Sequence, residues 1–182
     1  MFKLLILTSI LLALASQVIS TSKALSPLKP SEPYTHTASI DEDDLDLYRL
    51  YWKPTNETIQ FEIHCRTTGW VGLGFSQNGD MAGSDIVIGW VDDITGAGHV
   101  KDTYAKIRAA PVMDKIQDWE LLDAKQIDGY TILKVKRKLN TCDKDEDMVI
   151  KKETNYLVAA WNAADPITGN GGLEVSRGES TH

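Results

Sequence analysis

Positive charge is in short supply in this chain: 19 Lys and Arg stand against 26 Asp and Glu, a formal net charge of −7 over 182 residues. An acidic surface of that kind argues against nucleic acid and anionic lipid as partners. Histidine is scarce as well, with His36, His64, His99 and His182 and no two of them close in sequence. Cysteine is limited to Cys65 and Cys142. Lys, Asp or Glu interrupts every apolar run after residue 20, so no later segment reaches the roughly 20 apolar residues that span a bilayer. A 3.6-residue period is never sustained over three turns, and neither an internal repeat nor a second domain is visible.

Against these absences stands an N-terminal leader. Met1-Phe2-Lys3 carries one positive charge, Leu4 to Leu14 is apolar but for Thr8 and Ser9, and Val18 and Ser20 have the small-residue spacing of a cleavage site. This pattern predicts a signal peptide over residues 1–20 and a secreted, extracellular chain. About 160 residues then remain, enough for one domain with its own core. Asn56-Glu57-Thr58 is a glycosylation sequon, which in a secreted chain implies an exposed turn. In an oxidising compartment Cys65 and Cys142 suggest a disulfide. Yet Cα atoms more than about 7 Å apart cannot be bridged, so a disulfide and free thiols both stay open.

Residues 21–35 are punctuated by Pro27, Pro30 and Pro33 and are expected to be extended. Strand patterns follow. Ile59, Phe61, Ile63 and Cys65 alternate with Gln60, Glu62, His64 and Arg66, the period of two of a half-buried strand. Ile86 to Val91 is continuously apolar, as a central strand would be, and Tyr156 to Trp161 is a last strong strand. Asp128-Gly129 between two strand-like runs predicts a hairpin. Many short strands with Gly and Asp turns indicate an all-β, antiparallel sandwich or barrel, of which a two-sheet, immunoglobulin-like sandwich is the expected form. Asp85, Asp102 and Asp118 all stand at strand beginnings, where loops of a sandwich converge. Two or three aspartates with backbone carbonyls suffice for a calcium-like cation, which takes about six to eight oxygens.

The segment GWVGLGFSQNGDMAGSDIVIGWV at 69–91 resembles the signature of the DOMON domain, found at the N-terminus of dopamine β-hydroxylase-like copper monooxygenases. KDTYA at 101–105, QDWEL at 117–121, LNTCD at 139–143, YLVAAW at 156–161 and Arg177-Gly178 follow in the family's order. The resemblance spans residues 36–178, leaving 179–182 as a tail. It implies Asp85 and Asp118 as side-chain metal ligands, Ile86 and Thr103 as carbonyl ligands, and Asp102 as a further candidate. Some DOMON domains resemble b-type cytochromes, which makes Met81 a candidate haem b ligand, although no histidine lies between Trp161 and Arg177 to complete it. Catalysis in the monooxygenases belongs to two copper domains built on paired histidines, which this chain lacks. The expectation is therefore a secreted module that binds a small ligand or an extracellular protein, with an intermolecular disulfide through Cys142 as an option. The alternatives are a truncated or accessory form of a copper monooxygenase and a haem electron-transfer domain.

Overall fold

Alternation along the chain builds two sheets that bury their inner faces against each other. The computed structural model describes residues 28–40, 47–151, 155–169, 172–175 and 179–181, and contains no helix among them. The leader, the acidic run at 41–46 and Arg177-Gly178 lie outside the described residues. In chain order the strands are β1 (His36–Ser39), β2 (Tyr48–Pro54), β3 (Thr58–Cys65), β4 (Val71–Ser76), β5 (Asp85–Val91), β6 (Gly98–Tyr104) and β7 (Val112–Met113). Then come β8 (Glu120–Ile127), β9 (Tyr130–Lys138), β10 (Tyr156–Trp161), β11 (Ile167–Gly169), β12 (Gly172–Glu174) and β13 (Glu179–Thr181).

One sheet has the order β1-β2-β3-β9-β8 and the other β13-β10-β4-β5-β6-β7, with β11-β12 as a separate hairpin. All pairs are antiparallel. The expected two-sheet sandwich is what forms. Asp128 and Gly129 both adopt positive φ, 52° and 79°, as the tightest hairpin turns require.

Ile59, Phe61, Ile63 and Cys65 of β3, with Leu133 and Val135 of β9 beside them, face Phe75 and Val87 of the other sheet in the inter-sheet core, with Trp119 and Trp161. A second cluster, Trp70, Ile86, Ile88 and Trp90, lies on the opposite face of β5, with Met81 and Val175 packed against it. Close approach sets two glycines. A Cβ on Gly89 would lie 2.6 Å from Leu133 Cδ1, and one on Gly69 would lie 2.4 Å from the carbonyl oxygens of Asn162 and Ala164.

The polar face of β3, expected to look towards solvent, is covered. Glu62 and His64 are both almost fully buried. Residues 28–35 lie across them: Ser31 N and Tyr34 Oη donate to Glu62, at 2.8 and 3.0 Å, and Glu32 is ion-paired to Lys53 and Lys134. His64 Nε2 sits 2.7 Å from Glu62 Oε1, which completes the satisfaction of that carboxylate. No helix among the described residues is long and apolar enough to cross a membrane.

Candidate functional site

The strand period that sends Ile86 and Ile88 to the outer cluster sends Asp85 and Val87 inward. Asp85 is thereby buried between the sheets at the start of β5. Opposite it, the last inward position of β9 is Arg137, also buried, whose Nη1 donates to Asp85 Oδ2 at 2.6 Å. The Met148 amide donates to the same oxygen at 2.8 Å. Asp102, inward on β6, accepts from the Asp118 amide at 3.0 Å. Asp147 lies 3.6 Å from Arg137 Nη1. One oxygen from each of Asp85, Asp102 and Asp147 falls within 4.8 Å of the others.

These three are joined by two neighbours. Asp114 is buried, its amide bonded to the Asp102 carbonyl, and Asp118 is half-buried and close enough to Asp147 to feel its charge. Asp85 and Asp147 thus meet one guanidinium directly, with Asp102, Asp114 and Asp118 adjoining. Arg137 is otherwise committed, donating to the Met148 and Lys138 carbonyls and stacking over the Trp119 ring at 5.2 Å.

Oxygens are left over. Asp85 Oδ1, Asp102 Oδ1, Asp147 Oδ2 and both oxygens of Asp114 are buried without a hydrogen-bond partner. Burial, reinforced by the charges of Asp85 and Asp147, pushes Asp102 up to about 7. Burial, with Asp102 next, pushes Asp114 up to about 8. Asp85 and Asp118 are raised as well, again first by burial. Buried carboxylates lacking donors cost several kcal/mol each in order of magnitude, and a hard cation is the natural complement of such an oxygen set.

Of the positions expected from sequence, Asp85, Asp102 and Asp118 are brought together. Ile86 and Thr103 form the adjacent rung, fully inside the strand pair, and Thr103 Oγ1 donates to the Ile86 carbonyl at 2.7 Å. Asp114 and Asp147 are additions. The acidic run Asp143–Asp147 was the available signal for the latter.

Met81 packs against the outer cluster beside Ile86, in the loop before β5. His99 stacks on Trp90 at the other end of that seven-residue strand, with ring centroids 4.9 Å apart. A strand of this length spans roughly 20 Å, too far for both to ligate one iron. His36 and His64 belong to the other sheet. Among the described residues, then, no histidine stands where it could join Met81 as the second axial ligand of a haem. Cys65 is buried and Cys142 exposed, and the two are not joined to each other by a disulfide. Asn56 is exposed in the β2–β3 turn, as a glycosylated residue must be.

The family model of the DOMON domain matches residues 43–162. Among curated proteins the chain is 36% identical over 139 residues to MOXD1 homolog 2 of Drosophila melanogaster, covering 75% of this chain and 18% of that protein. It is 41% identical over 133 residues to MOXD1 homolog 1 of the same organism, covering 70% and 19%. With the human DBH-like monooxygenase protein 1 it shares 33% over 132 residues, covering 72% and 21%. The chain therefore spans about a fifth of the length of these relatives. Among solved structures, the cytochrome b domain of pyranose dehydrogenase from Coprinopsis cinerea superposes with a TM-score of 0.60 at 14% identity, covering 79% of this chain and 77% of that one. The cytochrome domain of cellobiose dehydrogenase from Myriococcum thermophilum gives 0.58 at 14%, covering 80% and 77%. At such identities the likeness is one of fold.

Proposed function

Because the chain belongs to the DOMON domain family, we propose that it is an extracellular binding or interaction module whose inter-sheet end is completed by a calcium-like divalent cation. The observation that carries this reading is the set of five buried, unpartnered carboxylate oxygens around Asp85, Asp102, Asp114 and Asp147. Asp85, Asp102 and Asp147 are the residues to hold the ion, with Asp118 and Asp114 adjoining. The cation supplies positive charge where Arg137 alone leaves a surplus of negative charge. The signal-like leader supports the extracellular setting, where calcium is abundant enough to fill a site of about 10⁻⁴ M.

The test combines spectroscopy and stability. Trp119 follows Asp118 directly and stacks on Arg137, so terbium bound at the cluster should show tryptophan-sensitised luminescence that calcium displaces. Calcium at a hundredfold excess over Kd should stabilise the fold by about 2.7 kcal/mol. Asp147→Asn and Asp118→Asn should each remove most of the calcium-dependent rise in melting temperature. If chelator leaves the wild-type melting temperature unmoved and terbium gives no sensitised signal, the reading is wrong.

A second reading, favoured by the names of the relatives, is a module working beside copper monooxygenase domains, in a longer chain or as a separate partner. Co-purification with such domains would support it. A haem electron-transfer role draws on the cytochrome structures alone, and a Soret band in the purified protein would establish it over the present proposal.

A further inference from the structure

A cleft of about 710 Å³ opens between the sheets at the same end of the sandwich, on the side of the β2–β3 turn. That volume falls within the range of small-molecule sites. Its floor is apolar: Ile59, Phe61 and Phe75 from the core, with Ile150 and Leu157. One wall is the stacked pair of His36 and Trp52, their rings 5.1 Å apart and 13° from parallel. Among the described residues, no Asp or Glu lines the cleft, and Lys151 is its one residue of fixed charge. No carboxylate pairs with the Lys151 ammonium among the described residues, although the chain as a whole carries seven surplus negative charges. Its backbone is fixed in place, since the Lys151 amide donates to Asn155 Oδ1 at 3.2 Å and Asn155 Nδ2 donates back to the Lys151 carbonyl at 2.8 Å.

We propose that this cleft binds a small amphiphile with an apolar body and a carboxylate head, the body lying against the partly exposed Trp52 and Leu157 above the Phe61 and Phe75 rings and the head meeting Lys151. An apolar floor alone would accept any hydrophobic molecule of suitable size. The solitary cation at the rim selects the sign of the polar end, because a carboxylate gains a charge-assisted bond there and an ammonium is repelled. Nothing in this argument uses the cation cluster, so the two readings can fail separately.

The experiment is calorimetric titration of the intact folded chain with dodecanoate, dodecanol and dodecylammonium, each below its aggregation concentration. Saturable binding at one site is expected, with dodecanoate at least about tenfold tighter than dodecanol, as a hydrogen bond to a charged group implies. Lys151→Glu, an exposed change, should erase that preference. Leu157→Trp, which fills the cleft from a half-buried position, should abolish binding of both. Lys125→Glu, on the solvent side of β8, is the control and should change nothing. Absence of saturable binding overturns the proposal, as does a Lys151→Glu protein that keeps its preference for dodecanoate or a wild type that prefers dodecylammonium.

Discussion

Buried carboxylates in this chain are treated in two opposite ways. Glu62 receives the Ser31 amide and hydroxyl, the Tyr34 hydroxyl and His64. Burial acts to raise its pKa, but these donors prevail and hold it at about 2, below an ordinary value of 4.5. Asp102 and Asp114 are also buried, but Asp102 receives only the Asp118 amide and the Asp114 carboxyl no donor, so burial prevails and they stand at about 7 and 8. Glu62 is a completed structural network, whereas the aspartates are an incomplete one. The sign of its shift makes Glu62 testable. A carboxyl depressed on folding adds stability that is fully present above its unfolded value near 4.5 and is lost as the pH falls towards 2. Acid unfolding of the wild type should therefore steepen between about pH 4.5 and pH 2. Glu62→Gln should flatten that arm while lowering stability at neutral pH. A variant whose acid arm is as steep as the wild type's would show that Glu62 is not the group responsible.

Strands with their own pattern were legible in the sequence, and strands that depend on a partner were not. Alternation in Ile59–Cys65 and the apolar run at Ile86–Val91 mark β3 and β5 unaided, and Asp128-Gly129 marks the β8–β9 hairpin. Four residues of mixed polarity, His36–Ser39, become β1 only because β2 offers them an edge. β7, two residues long, exists only as a rung on β6. The same division applies to the site. Asp85 could be read because it opens β5, whereas Asp102, expected at a strand start, is the fifth residue of β6, since pairing with β5 extends that strand back to Gly98; Asp114 and Asp147 reach the cluster through loops whose convergence is written in no local spacing. Burial of Glu62 and His64 also depends on residues about thirty positions earlier. Glycine offers a direct test at this scale. Gly72 would meet a Cβ with only ordinary contacts, none closer than 3.5 Å, but at Gly89 the Leu133 side chain is 2.6 Å away and the His99 carbonyl 3.1 Å. Gly89→Ala should cost about 1–3 kcal/mol by overpacking between the sheets, read as a lower denaturant midpoint. A cost no larger than that of an exposed loop substitution would mean that the sheets separate more easily than their packing implies.

The molecule's two ends are unlike. Where β3 finishes, polar ties close the sandwich: Thr131 Oγ1 donates to the Thr67 carbonyl at 3.0 Å, and Thr67 Oγ1 to the Asn162 carbonyl at 2.8 Å. Where β3 begins, the sheets part around the aspartates and the cleft. A single stretch, from Leu139 to Lys151, serves both features there. It brings Asp147 to the carboxylates, has Met148 clamped by Asp85 and Arg137, and then hands Ile150 and Lys151 to the cleft, with the Ile150 amide bonded to the Leu139 carbonyl at 2.8 Å. Two occupants resting on one strip of backbone are placed to influence each other through it, and any such influence is reciprocal. Whatever factor calcium adds to the affinity for dodecanoate, dodecanoate must add to the affinity for calcium. Titrations of each in the presence and absence of the other should return one and the same factor, above unity if both favour the same placement of Met148 and Ile150. A factor of one would mean that the strip is already rigid before either arrives.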